Sequence, residues 1–142
     1  MKRRTFLAAT LAAAAAPAMT LAGGMTTVDY SDADPIGAAL ADGKTVFVDY
    51  AADWCSTCKA QERAINALRS GNPAYDENIV FVRVDWDDFA SAAVTTERNI
   101  PRRSTLIVLK GDAELGRIVA GTGTDQIKGL LDTALAAATS SS

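Results

Sequence analysis

The chain has 142 residues, 49% of them hydrophobic and 22% charged, which leaves room for one domain and excludes a disordered protein. Its 14 Lys and Arg face 17 Asp and Glu, a formal charge of −3 without a basic block, which argues against a nucleic-acid partner. No histidine occurs, so His-based triads, Cys-His pairs and the commonest zinc and haem ligands are excluded, and sharp chemistry falls to two cysteines.

Residues 1–22 read as a signal peptide and 23–142 as the domain. Lys2, Arg3 and Arg4 form a positive start, and no charge follows from Thr5 to Val28. Eight of the eleven residues from Ala8 to Ala18 are Ala, a stretch too weakly apolar for a good membrane anchor. Small residues at Ala16-Pro17-Ala18 and Thr20-Leu21-Ala22 offer cleavage sites. The pair Arg3-Arg4 before Thr5-Phe6-Leu7 resembles the twin-arginine export signal, with the general secretory route as the alternative. The expected location is therefore the periplasm. Loss of Lys2, Arg3 and Arg4 leaves 11 cations against 17 acids, a net of −6.

Asp34-Pro35 is an N-cap and first-turn pair, followed by a helix from Ile36 to Asp42 that stops at Gly43. Thr45 to Tyr50 is a near-continuous apolar run, the pattern of a strand covered on both faces. Ser56 to Arg69 reads as a helix with Ala60, Ala64, Ile65 and Leu68 on one face and Gly71 past its end. Ile79 to Asp85 is a second strand, Ala90 to Arg98 a short helix and Thr105 to Leu109 a third strand. Gly111-Asp112 turns into a closing strand, Glu114 to Ala120. Thr124-Asp125 caps a last helix carrying Ile127, Leu130, Leu131 and Leu135, and Ala136 to Ser142 reads as a frayed tail. This order gives an α/β fold with a central mixed β-sheet flanked by helices.

The cysteines lie in Asp53-Trp54-Cys55-Ser56-Thr57-Cys58-Lys59, where the first buried strand meets the long helix. A C-x-x-C in that position reads as a redox dithiol. Cys55 at the helix N-terminus meets free N–H groups and the positive dipole end, which stabilise a thiolate. Cys58, one turn further in, is expected to be the more buried thiol that resolves a mixed disulfide formed by Cys55. A structural disulfide is the main alternative, although so short a loop constrains little chain. A zinc site would need four ligands, which two cysteines without histidine do not supply.

The stretch Phe47-Val48-Asp49-Tyr50-Ala51-Ala52-Asp53-Trp54-Cys55-Ser56-Thr57-Cys58-Lys59 resembles the active-site segment of the thioredoxin superfamily, most closely periplasmic thioredoxin-like thiol-disulfide interchange domains. The resemblance covers roughly Asp34 to Leu135 and implies a thioredoxin-like fold. It implies that Cys55 is the nucleophile, Cys58 the resolving thiol and Trp54 the aromatic beside the site. Asp49 would be the buried carboxylate that takes a proton from Cys58. Physically, a carboxylate within an apolar strand is costly unless protonated or paired, which suits a proton shuttle. The dithiol carries the electrons, so no cofactor or bound metal is expected.

One departure from the family stands out. Its members normally place a cis-proline before a Thr-led apolar strand, and here Ser104 of Arg102-Arg103-Ser104-Thr105-Leu106 holds that place. A cis bond without proline costs about 2.5–4 kcal/mol, so Arg103-Ser104 is either trans or strained. The Ser104 hydroxyl is within expected reach of a cysteine sulfur, and Arg102 and Arg103 add positive charge that favours the Cys55 thiolate or an acidic partner. Trp54, Arg103 and Ser104 are the expected substrate-binding residues.

The leading reading is an exported thiol-disulfide oxidoreductase. Ser56-Thr57 lacks the His of strongly oxidising relatives, which favours a reductase or interchange role acting on protein thiols and disulfides, with a membrane thiol reductase as electron donor. The alternative is a thioredoxin-fold binding module of weak redox turnover, holding a metal or cluster between two chains because the proline is absent.

Overall fold

The computed structural model describes residues 25–140, so the signal-peptide expectation for residues 1–22 lies outside the described residues. Strand β1 (Val28–Asp29) leads into helix α1 (Pro35–Ala41), strand β2 (Thr45–Ala51) and helix α2 (Ser56–Gly71). Helix α3 (Ala74–Asn78), strand β3 (Ile79–Asp85) and the short helices α4 (Trp86–Phe89) and α5 (Ala93–Thr96) follow. Strands β4 (Thr105–Lys110) and β5 (Ala113–Val119) and helix α6 (Thr124–Thr139) complete the order.

The five strands form one mixed sheet in the order β1-β3-β2-β4-β5. β1, β3 and β2 run parallel, while β4 is antiparallel to both β2 and β5. β2 is therefore paired along both edges, with Asp49 beside Arg83 of β3 on one side and Leu106 of β4 on the other. Side chains alternate across a strand, so β2 feeds two cores. Val46, Val48 and Tyr50 pack with Ile36 of α1 and Val94 of α5 on one face. Phe47 packs with Ile65 of α2 and with Ile127 and Leu131 of α6 on the other. By the same alternation Asp49 and Ala51 belong to the face beneath α2.

Asp34 caps α1 as expected, its Oδ1 accepting from Gly37 N at 3.0 Å, and Pro35 opens the first turn. Gly43 follows the helix at φ 76°, a left-handed turn that only glycine adopts freely. Several boundaries depart from the sequence expectations. α2 runs through Gly71, so that glycine ends the helix from within. The helix expected over Ala90 to Arg98 shrinks to α5, with α4 before it, because Thr95 turns its hydroxyl onto the Phe89 carbonyl and leaves no continuous ladder. α6 starts after Gly123, without a side-chain cap from Thr124 or Asp125, and it continues to Thr139. The expected frayed tail is thus helical for most of its length, since Ala134 and its neighbours pack on the sheet.

β1 and α3 were absent from the sequence reading, being too short to carry a period. They are joined by Arg69, buried on α2. Its guanidinium pairs with Asp76 of α3, donates to Thr27 Oγ1 at 2.8 Å and to the Thr26 carbonyl at 3.0 Å, and stacks 3.8 Å from the Phe81 ring centre. Removing one partner of a buried ion pair strands the other, so Arg69→Met is expected to destabilise the fold by about 3 kcal/mol. A lowered urea midpoint at unchanged slope would show it. A midpoint equal to the wild type would mean that Arg69 holds nothing in place.

Candidate active site

β2 ends at Ala51, and the chain turns through Ala52-Asp53-Trp54 into Cys55, the N-cap of α2. Cys55 Sγ accepts from Cys58 N at 3.2 Å, so an amide of the first turn already points at the sulfur. A 16-residue helix adds its positive dipole end there. Cys55 and Cys58 lie at disulfide-bonding distance, with Cα atoms 5.2 Å apart. The expected difference in burial is absent: each cysteine is 3% exposed. Ala51, Ala52 and the half-buried Trp86 pack around both sulfurs and shield them alike.

Ser104 is fully buried against this pair. Its Oγ lies 3.2 Å from Cys55 Sγ and 3.0 Å from Cys58 Sγ. A disulfide carries no S–H, so in that state the hydroxyl is the donor, to one sulfur at a time. No cis peptide bond occurs among the described residues, so Arg103-Ser104 is trans. The backbone bends instead at Ser104 itself, with φ 63°, a left-handed conformation that costs a non-glycine residue about 1–2 kcal/mol. Three backbone-directed bonds hold it there. Ser104 N donates to the Tyr50 carbonyl at 2.7 Å, and its own carbonyl accepts from Ala120 N at 2.8 Å. Gln61 Nε2 donates to the same carbonyl at 3.0 Å and to the Gly121 carbonyl at 2.9 Å.

Gln61 is the residue that sequence reasoning missed. It is completely buried on α2, and its Oε1 has no partner among the described residues. Its signal was a polar residue at a core position, three after Cys58 and four before Ile65.

Asp49 lines a cavity of about 440 Å³ beside Cys58, with Lys59, Glu62 and Arg83 around it. Its Oδ1 is sealed from solvent without a hydrogen bond. Burial pushes its pKa from 3.8 up to about 7, against the lowering effect of Arg83, with Glu62 raising it further. A carboxyl with that pKa changes its charge near neutral pH. Arg83 is tied to Asp53 at 2.9 Å and Asp85 at 3.3 Å, so its charge is shared. Lys59 and Glu62 are both exposed where they line the cavity.

Trp54 is 59% exposed immediately before Cys55. Its Nε1 donates to both oxygens of Asp87 at 3.0 Å, and the Arg103 guanidinium lies 4.2 Å from its ring centre. The structure therefore gathers all six candidate residues, Asp49, Trp54, Cys55, Cys58, Arg103 and Ser104, around one dithiol.

The profile of a thioredoxin-like family matches residues 29–133. A thioredoxin of Echinococcus granulosus is 31% identical over 65% of this chain and 80% of that protein. Thioredoxin H2-1 of Oryza sativa subsp. japonica is 29% identical over 63% of this chain and 60% of its own length. Among solved structures, Trxlp from Edwardsiella tarda superposes with a TM-score of 0.63 at 31% identity, over 74% of this chain and 98% of that one.

Two predictions follow from the geometry. A hydrogen bond to a charged group contributes about 1.5–3 kcal/mol, so Ser104→Ala is expected to raise the Cys55 thiol pKa by about one unit. Gln61→Leu, which frees the Ser104 loop, is expected to move it the same way. The pH dependence of iodoacetamide alkylation reads both, and an unchanged titration in Ser104→Ala would remove the hydroxyl from thiolate stabilisation. The second concerns Asp49, whose folded pKa of about 7 exceeds the ordinary 3.8. The folded state binds its proton more tightly, so that stability is complete below the ordinary value and is lost as pH rises towards the folded one. Asp49→Asn should abolish this slope in unfolding free energy, and a slope that survives would assign the titration to another group.

Proposed function

We propose, from the premise that this chain belongs to the thioredoxin superfamily and is a thiol-disulfide oxidoreductase, that it acts in the periplasm as a reductase or interchange protein. The observation that carries the reading is the Cys55-Cys58 pair at the N-terminus of α2, with the Ser104 hydroxyl against both sulfurs.

In the reducing direction the Cys55 thiolate attacks one sulfur of a client disulfide. A bond forms between Cys55 and that sulfur, and the other client sulfur leaves as a thiolate and is protonated. Cys58 then passes its proton to Asp49 and attacks Cys55 Sγ. The mixed disulfide breaks, the second client thiol departs, and two electrons have moved from the protein dithiol to the client. Stabilisation of Cys55 by the Cys58 amide and the helix N-terminus favours the first step. In the reverse direction, the hydroxyl 3.0 Å from Cys58 Sγ is placed to stabilise Cys58 as the leaving thiolate.

Clients are protein thiols and disulfides, as the family implies. They dock at Trp54, Arg103 and Ser104, the groups that border Cys55. The absence of His between the cysteines supports a reducing or interchange role, with electrons from a membrane thiol reductase. Arg3-Arg4 and the uncharged tract behind them support export with removal of residues 1–22.

The cysteines test the mechanism. Cys58→Ser is expected to trap clients as mixed disulfides on Cys55, because nothing resolves them, and Cys55→Ser to trap none. Non-reducing gels of cells expressing each variant read this directly. Trapping on Cys58 instead would reverse the two roles. Export is tested by fractionation: a shortened form in the periplasm, starting near Met19 or Gly23, is expected, and a full-length cytoplasmic product would refute it. Lysine at both Arg3 and Arg4 is expected to stop export, and continued export would assign the protein to the general secretory route.

A further inference from the structure

In a chain with more acids than bases, a surface arginine has carboxylates available to pair with. Arg83 and Arg117 pair with Asp53 and Glu114, and the buried Arg69 with Asp76, while Arg63 and Arg98, away from the dithiol, form no ion pair among the described residues. Neither do Arg102 and Arg103. The Nε of Arg102 donates to the Arg103 carbonyl at 3.1 Å, and the Nε of Arg103 is sealed from solvent with no acceptor. Asp87 turns both oxygens to the Trp54 indole N–H, which leaves its charge in place but directs its acceptors away from Arg103, and Asp53 is bound to Arg83.

Arg103 stands beside the nucleophile, and Arg102 is its chain neighbour, tied to it through the Arg103 carbonyl. Arg103 precedes Ser104, whose Oγ touches Cys55 Sγ at 3.2 Å, and its guanidinium is stacked on the ring of Trp54, which precedes Cys55. Stacking on an aromatic face holds the guanidinium in one place without neutralising it. Its planar fork keeps the geometry that receives a carboxylate through two parallel hydrogen bonds. A client that brings a sulfur to Cys55 must lay its neighbouring residues along this rim, since an extended chain spans only about 3.5 Å per residue.

Resting on the thiol-disulfide reading above, we propose that Arg102 and Arg103 make this protein selective for clients that carry Asp or Glu within about three residues of the reacting cysteine. A client carboxylate supplies the ion-pair partner that Arg102 and Arg103 lack, and a client lysine at the same place meets two cations that no ion pair offsets. The attraction acts on encounter as well as on the docked complex, so it weakens with salt.

The test uses the full chain, reduced with dithiothreitol and then freed of it, in single turnover with two cyclic disulfide peptides. They share loop length and differ only in Asp or Lys beside each cysteine. In each reaction the protein dithiol becomes a disulfide and the peptide disulfide becomes a dithiol. The reading is the ratio of the two rates, from which any general change in reactivity cancels. The wild type is expected to favour the acidic peptide by about tenfold at about 0.01 M ionic strength and by much less at about 1 M. The Arg102→Gln/Arg103→Gln double variant is expected to bring the ratio close to one, and Arg103→Lys, which keeps the charge without the planar fork, to an intermediate value. A wild-type ratio near one, or a preference that survives in the double variant, overturns the proposal. Failure to reduce either peptide is a different result, because it overturns the reductase reading on which the proposal rests.

Discussion

The hydrogen bond from Ser104 N to the Tyr50 carbonyl, at 2.7 Å, extends the pairing of β2 and β4 one residue beyond Thr105 and fixes the chain that faces the dithiol. Everything specific to this site follows from that anchor. With its amide committed to β2, Ser104 turns left-handed, its carbonyl meets Ala120 and Gln61, and its hydroxyl lies between the two sulfurs. Ala120 is itself left-handed at φ 62°, so two non-glycine residues in a strained conformation face each other across one hydrogen bond. Such conformations persist where the surroundings over-determine them, and here a fully buried glutamine spans both loops.

The second constraint is the period of the strand. Because β2 is covered on both faces, its side chains alternate between two packed layers, and Asp49 falls on the α2 side as the one partly exposed residue of the strand. It therefore lies beneath α2, in the cavity that also borders Cys58. The same burial that costs stability above its ordinary titration range brings its pKa to about 7.

The rim is governed by different physics. Trp54, Asp87 and Arg103 form a stack held by one indole N–H and one cation over a ring, on the exposed side of Cys55. These groups do not shape the fold. They set the charge and form of the surface next to a dithiol that is itself almost fully buried.

Much of this was legible in the chain. Apolar runs at Thr45–Tyr50 and Ile79–Asp85 and the pair Asp34-Pro35 fixed the strands and the first helix, because local propensity and burial pattern agreed there. The spacing of Cys55 and Cys58 at a strand-helix junction determined the dithiol, since the helix N-terminus is a local feature. Asp49 was visible as a lone carboxylate in an apolar strand. What the sequence left open needed residues far apart in the chain. Ser104 reaches the sulfurs across 49 and 46 residues, and Gln61 reaches Gly121 across 60. The trans, left-handed form of Ser104 is set by bonds to Tyr50, Gln61 and Ala120, which no local pattern encodes. β1 and α3 likewise exist because Arg69 and the sheet hold them, while the helix continues past Ala136, where the Lys110 ammonium of β4 donates to the Ala137 carbonyl. Local patterns decide where elements lie. Only packing decides which orphaned donors and acceptors meet, and that is the part from which this active site is made.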